Sequence, residues 1–292
     1  STPLYSSAAS VCIRDRYNGW TPLAVYALAE LARSSRSELS AEALKRIVEE
    51  AEWGADFILK MWQPRRGIMY LHVFSGYRYM GPPERETDNI PGNQDDRPIQ
   101  GEGPNPLAAA ALAALAQAGG KQRYRDAAED LWRGAEKAAS GANAPFLASL
   151  LLADLELETL TRGLKFKRTA AAHAGGLLKQ AGTDGLWPPD MVTHGLPAAA
   201  LARYAIAHPR ERETSRIRAA LKRWLERSLA VSDNPFGITP WKEGVYFNPA
   251  KDNGGQNSVY LSQAWALRLT GRLLHDRRAD ELAGRAEASR LN

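Results

Sequence analysis

The residues best suited to chemistry in this 292-residue chain are carboxylates and aromatic rings, and many of them lie between residues 63 and 105. That segment contains Tyr77, Glu84, Arg97 and Glu102. Aromatic rings can stack on the apolar faces of a sugar while charged groups bind its hydroxyls, so the mixture is typical of a carbohydrate site. The same residues would also suit a small aromatic core beneath a long loop, or a structural calcium site.

Two later segments carry similar residues. The first contains Trp187 and, just before a helix-like stretch, His194; the second contains Trp241 and Tyr246 among prolines and glycines. We expect the three rings to stack on sugar, and we expect His194 and Arg97 to bind hydroxyls or an acidic substituent. The alternatives are that His194 caps or packs against a helix, and that Trp241 and Tyr246 only seal the structure at that point.

Several other kinds of active site have no signature in the sequence. It lacks a phosphate-binding glycine loop, a helix with paired histidines for a metal, and the serine turn of acyl-transfer enzymes. The single cysteine, Cys12, excludes an internal disulfide framework and a thiolate metal cluster. Carboxylates are therefore the most available catalytic groups, and we expect no cofactor beyond the structural calcium considered above.

The elements that must position these residues are helices of two alternating kinds. Five segments are apolar on nearly every side and predict buried helices, at residues 21–31, 106–117, 144–157, 196–207 and 258–269. The segments between them, such as 44–62, have apolar residues at three-and-four spacing on a charged background and predict half-buried outer helices. This alternation predicts an all-α protein with one domain over residues 1–292, an α/α toroid with about five helical hairpins.

The connections within this pattern differ in length. Those from an outer helix to the next inner helix are often long, at 63–105, 182–195 and 232–257, whereas those from inner to outer helix are tight. In a toroid the long connections would meet at one end, where long loops usually carry function. We therefore expect the binding groove at that end.

Charge and hydropathy indicate which binding partners and which cellular compartment the protein has. The formal net charge is +5, but the basic residues lie mainly on the predicted outer helices and alternate with acidic ones, as on a salt-bridged helix surface. We expect a carbohydrate partner, no nucleic acid and, without a run of about 18 apolar residues, no membrane. A secreted or periplasmic location is favoured and a cytoplasmic one stays open, as does the number of subunits.

The order of several motifs resembles that of glycoside hydrolase family nine, six-hairpin inverting enzymes that include endoglucanases and exo-acting glucosidases and glucosaminidases. The best match is residues 50–61 (EAEWGADFILKM), similar to the second helix of that family. The other matches follow in the family's order, at residues 81–84, at 97–98, in the helix from Pro106, at 233–237 and at 257–264. The resemblance spans most of the chain and implies a toroid that hydrolyses β-linked glycans.

The resemblance is weakest at the catalytic groups. A gapless match anchored on Pro22 places Asp15 at the family's general base, although Cys12, Ile13 and Arg14 replace the residues that precede the base there. The family's general acid lies on a sixth hairpin for which we find no counterpart. Either the chain lacks a terminal hairpin, or the acid comes from the first long loop, where Glu84, Glu86 and Glu102 are our candidates.

Three functional hypotheses follow from these residues and motifs. The first is a hydrolase that cleaves β-linked glycans with inversion of configuration at the anomeric carbon, with Asp15 as the general base. In this hypothesis His194 and Arg97 are the polar ligands, and the stacking rings are Tyr77, Trp187, Trp241 and Tyr246. The second is a non-catalytic carbohydrate-binding relative. The third is a uronate-specific hydrolase or lyase, which the basic balance would suit.

Overall fold

A computed structural model describes residues 16–17, 20–73, 99–119, 121–183, 185–187, 195–232 and 256–288. The chain forms two compact units, Ser1–Ala138 and Ala139–Asn292, and the packing of each is described separately. The prediction of a single domain stays a prediction. Within the described residues no helix combines the length and the apolar character needed to cross a membrane.

The first unit contains four helices and four short strands within its described residues. In chain order they are β1 (Arg16–Tyr17), α1 (Trp20–Ser34), α2 (Ala41–Met61), β2 (Trp62–Gln63), β3 (Ile68–Val73), β4 (Ile99–Gly103), α3 (Pro106–Gln117) and α4 (Gln122–Lys137). Helix α1 packs against α2 and α3, and α3 packs against α4. The unit is therefore built from two helical hairpins whose apolar members, α1 and α3, lie side by side.

The second unit contains six helices within its described residues. They are α5 (Ala144–Thr161), α6 (Leu164–Gln180), α7 (Leu196–Ala207), α8 (Arg212–Val231), α9 (Gln256–Leu274) and α10 (Arg277–Ala288). Each apolar helix packs against the amphipathic helix that follows it, and α7 also packs against α5 and α9. Three hairpins result, with their apolar helices in contact.

The buried helices begin where the sequence supplies caps. The Oδ1 of Asn105 accepts a hydrogen bond from the amide of Ala108 at 3.0 Å, and the Oδ1 of Asn143 accepts one from the amide of Phe146 at 3.1 Å. Each cap precedes a helix with a proline in its first turn, where no amide partner is needed. Residues Pro106 to Leu115 of α3 are all buried, as the apolar character of the segment predicts.

The segment between α2 and α3, predicted as a loop, contains most of a small antiparallel sheet. Strand β3 lies at its centre, with β4 along one edge and with β2 and β1 along the other. The run Ile68 to Val73 is rich in the residue types that strands favour, and this was the signal for it in the sequence. Its side chains alternate, since Met69 is buried whereas Tyr70 is 37% exposed.

The turn between β2 and β3 is fixed to helix α4. One carboxylate oxygen of Asp130 accepts hydrogen bonds from the indole of Trp62 at 2.9 Å and from the amide of Arg65 at 3.1 Å. Beside it Gly67 and Gly134 bring their backbones together so closely that a Cβ on Gly134 would lie 1.7 Å from the Gly67 carbonyl oxygen. These two contacts set the position of the sheet on the helices of the first unit.

Three acidic residues near the end of α5 hold the hairpins of the second unit together. Asp154 is fully buried and binds the Nδ1 of His173 on α6 at 2.5 Å, and it also accepts a hydrogen bond from Thr169 at 2.7 Å. Glu156 is paired with Arg203 of α7 at 2.8 Å, and Glu158 with His208 at 3.0 Å. Buried charges are tolerated only when paired, so these contacts fix how α5 meets its neighbours.

Replacing Gly134 with Ala tests the close approach of the sheet to α4. We expect the free energy of unfolding to fall by roughly 2–4 kcal/mol, because the added methyl meets backbone that has little freedom to move. Urea denaturation measures the loss. Gly175→Ala in α6 is the matched control, since a Cβ added at this position would meet no atom within 4 Å. This substitution should be neutral or slightly stabilising. Equal stability of the two variants would contradict the described contact.

Candidate functional site

One end of the small sheet brings together two segments that contain predicted site residues. Arg16 of β1 pairs with Val73 of β3, and Val73 pairs on its other side with Ile99 of β4. Neighbouring strands lie about 4.8 Å apart, so the backbones of β1 and β4 at this level are roughly 10 Å from one another. We call this place, defined by Arg16, Val73 and Ile99, the sheet end.

The residues next to the sheet end in sequence include three of the predicted site residues. Asp15 directly precedes Arg16, Tyr77 follows Val73 by four residues, and Arg97 precedes Ile99 by two. These three residues, together with Glu84 and Glu86, lie outside the described residues.

Glu102, a predicted acid, lies on β4 in an exposed ion pair. Its carboxylate accepts hydrogen bonds from both terminal nitrogens of Arg66, at 3.0 and 2.8 Å, and from the Gln63 side chain at 3.1 Å. The contacts join β4 to the turn after β2. Tyr70 is directly opposite Glu102 in the ladder, so its ring lies on the same face of the sheet.

The electrostatics of this pair argue against Glu102 as a general acid. Hydrogen bonds from Arg66 and then from Gln63 lower the pKa of Glu102 below its ordinary value of 4.5. A general acid needs the opposite shift, so that it still carries its proton near the working pH. We therefore assign Glu102 a structural role, in which it holds β4 beside the β2–β3 turn.

Trp187, a predicted stacking ring, is buried in the second unit. Only 6% of the residue is exposed, and its indole donates a hydrogen bond to the carbonyl oxygen of Leu177 at 3.0 Å. A ring must expose one face to stack on a sugar, so this burial argues against the predicted role. The preceding turn is compact, because Gly182 donates to the Leu186 carbonyl at 2.7 Å and Gly185 adopts a φ of +81°.

Gly195 fixes the chain at the start of α7, one residue after His194. Its amide donates a hydrogen bond to the hydroxyl of Ser262 on α9 at 3.1 Å. A Cβ at this position would lie 2.1 Å from the Ser262 carbonyl oxygen, so only glycine allows the approach. His194, Trp241 and Tyr246 lie outside the described residues.

No signal in the sequence pointed to Asp130, although its carboxylate positions the turn that contains Arg66. The sequence shows it only as one of many acidic residues on a charged helix, and its partners are 65 and 68 residues away. Among the described residues, no three histidine, cysteine, aspartate or glutamate side chains form a group able to hold a metal. The structural calcium stays a prediction.

The outer helices carry the salt-bridged surface that the charge pattern predicts. Lys121, which directly precedes α4, pairs with Glu52 of α2 at 3.1 Å, and Arg123 of α4 pairs with Asp56 of α2. In the second unit Arg278 is paired with Glu226 at 2.7 Å. Basic groups of the described outer helices are thus partly neutralised by acidic neighbours, as expected for a protein surface rather than a nucleic-acid site.

Comparison with solved structures identifies the fold. The chain is similar to the cellulase Cel9M of C. cellulolyticum in complex with cellobiose (TM-score 0.64, 17% identity, 95% of this chain and 65% of that one). It is also similar to an endoglucanase of the termite Nasutitermes takasagoensis (0.65, 16%, 95% and 65%) and to a GH9 protein of Bacteroides ovatus (0.63, 14%, 93% and 55%). No protein-family model and no curated protein sequence matches the chain.

This likeness confirms the predicted fold class, an all-α toroid of paired helices, and its similarity to the glycoside hydrolase family nine fold. The match covers nearly all of the chain, which in turn spans 55% to 65% of the length of these structures. At 14% to 17% identity the likeness concerns the fold, and a shared fold does not by itself establish activity.

Glu102→Gln tests the structural role of Glu102. We expect its melting temperature to be slightly lower than that of the wild type at pH 7, because an exposed ion pair contributes little stability. We also expect the difference to shrink as the pH falls below 4.5, because a carboxylate with a lowered pKa contributes stability that is lost on protonation. Thermal melts from pH 7 to pH 3 measure this. A difference that grows toward acid pH would contradict the assignment.

Proposed function

We propose that the chain acts as an inverting glycoside hydrolase on a β-linked poly- or oligosaccharide, with Asp15 as its general base. The observation that carries the proposal is the likeness to cellulases over nearly the whole chain. One of those cellulases holds cellobiose, a β-linked disaccharide. The aromatic and carboxylate residues of the first long loop supply the kind of side chains that such a ligand requires.

The sheet end supports the choice of Asp15. In an inverting mechanism one carboxylate removes a proton from water while a second carboxyl group protonates the departing oxygen, with the two about 6.5–9.5 Å apart. Asp15 directly precedes β1, which pairs with β3. The chain leaves the sheet after Val73 of β3 and re-enters it at Ile99 of β4, at the same level as the pairing with β1. The proposal therefore uses a base that directly precedes β1 in the sequence and two substrate ligands, Tyr77 and Arg97, that lie in the sequence between β3 and β4.

The acid in this proposal is not Glu102, whose carboxylate is held by Arg66. Glu84 and Glu86 are the remaining candidates in the first long loop, and a carboxyl group outside these 292 residues is the alternative. His194, Trp241 and Tyr246 serve as further sugar ligands in the proposal. A secreted or periplasmic location would give the enzyme access to its polymer.

Two observations favour a second candidate function, a carbohydrate-binding protein without turnover. The residues before Asp15 depart from the family pattern, and the ion pair of Glu102 removes one of three candidate acids from the first long loop. Ligand binding with no release of reducing ends from a panel of β-linked glucans, xylans and glucosamine oligomers would select this function over hydrolysis.

Replacing Asp15 with Asn tests the base. We expect kcat on the hydrolysed glycan to fall by roughly 10²–10⁴-fold, because the amide cannot accept the proton of the attacking water, while KM changes little. Reducing-end release measures the rate, and a thermal melt checks folding. Asp126→Asn on outer helix α4 is the matched control and should retain full activity. Undiminished hydrolysis by the Asp15 variant would remove Asp15 from the mechanism.

The stereochemistry of the product tests inversion independently of any residue. We expect proton NMR, recorded in the first minutes of hydrolysis, to show the new reducing end as the α-anomer, because water attacks from the face opposite the departing group. Mutarotation then produces the β-anomer slowly. Initial formation of the β-anomer would exclude inversion and indicate a covalent intermediate.

A further inference from the structure

Helix α2 presents an open depression that the proposed mechanism does not use. It is a shallow depression of about 420 Å³, open to solvent and lined by Arg46, Glu49, Glu50 and Trp53. The indole of Trp53 is the most prominent part, because 57% of this residue is exposed. A concave surface lined by an aromatic ring and a few polar groups is a feature of ligand sites.

The four lining residues form one stripe along the helix. They occupy positions i, i+3, i+4 and i+7, which share a face of an α-helix and extend over about 10 Å. The core-facing residues of α2 are others, among them Ala51, Ala55 and Ile58, which are fully buried. Trp53 is therefore not needed to fill the core of the first unit.

The contacts of α2 with its neighbour α4 also lie outside this stripe. Glu52 pairs with Lys121, and Asp56 accepts a hydrogen bond from the hydroxyl of Tyr124 at 2.9 Å. These contacts account for how α2 packs on α4. The stripe that contains Trp53 takes no part in these two contacts and lines the depression instead.

The chemistry of the stripe fits a sugar better than it fits a protein. Protein-binding faces have an apolar centre from which charged residues are depleted, whereas the neighbours of Trp53 in this depression are an arginine and two glutamates, all exposed. A pyranose ring offers an apolar face to an indole and hydroxyls to carboxylate and guanidinium groups. An exposed ring flanked by hydrogen-bonding groups suits such a ligand.

We infer that this stripe on α2 is an auxiliary binding site for a neutral β-linked glucan, with Trp53 as the stacking ring and Glu49, Glu50 and Arg46 as hydroxyl ligands. The inference rests on the proposed function, since it names the polymer that the enzyme would hold. The volume of the depression lies within the range of about 300–1,000 Å³ typical of ligand sites. Holding the polymer at a second place raises the concentration of its chain near the protein.

Affinity electrophoresis in gels containing hydroxyethyl cellulose, a neutral soluble glucan, tests the site. We expect the apparent dissociation constant of Trp53→Ala to rise roughly fivefold to tenfold, the effect of losing one aromatic contact. Trp53→Phe keeps a ring and should retain most of the binding. Leu164→Ala is the matched control, because Leu164 is 74% exposed on α6 and its removal should leave binding unchanged.

The binding measurement is independent of turnover, so it separates this inference from the proposed function. Weaker binding by Trp53→Ala supports the auxiliary site even if no hydrolysis is detected. When hydrolysis occurs, this variant should cleave a short soluble glycoside at the wild-type rate. Wild-type binding by Trp53→Ala would overturn the inference. So would a smaller mass for this variant in multi-angle light scattering, because Trp53 would then be covered by a second copy of the chain.

Discussion

A helix that is apolar on every side is stable in water only when other elements cover all of it, and the structure depends on this constraint. Helix α3 buries ten consecutive residues, and α5 and α7 are buried almost as completely. Burying one leucine contributes about 1.5–3 kcal/mol. An amphipathic helix covers each apolar helix from outside, and another apolar helix covers it from the side. The alternation of helix types is therefore a consequence of burial.

This arrangement leaves the chemistry to the segments that connect the helices. The helices of the first unit are joined by a connection that folds into a sheet, and the sheet is held by Asp130 and by the contact of Gly67 with Gly134. Because that connection is fixed at its base, β1 and the ends of β3 and β4 meet at the sheet end. In the second unit the contact of Gly195 with Ser262 fixes the start of α7 in a similar way, and Gly195 directly follows His194 in the sequence.

Charges in this protein have different effects that depend on burial. Asp154 and Glu156 are almost inaccessible, so each needs its basic partner, and their pairing determines how three helices of the second unit pack. Glu102 and Arg66 are exposed, and their pairing orients a turn at little gain in stability. A similar exposure on α2 leaves the indole of Trp53 and the charged groups beside it accessible from solvent. Carboxylates are thus structural at some positions and accessible for chemistry at others.

The sequence by itself determined the helices, because apolar periodicity is local and burial follows from it. The predicted bounds of α3 and α7 agree with the structure, and α9 extends only a few residues beyond its predicted range. Residue types also determined where aromatic and acidic groups concentrate. Only the tertiary structure decided that Arg66 holds Glu102, that Trp187 is buried against Leu177 and that residues 68–73 pair as a central strand. Such pairings join residues far apart in the chain, and local sequence patterns do not specify which partner lies within hydrogen-bonding distance.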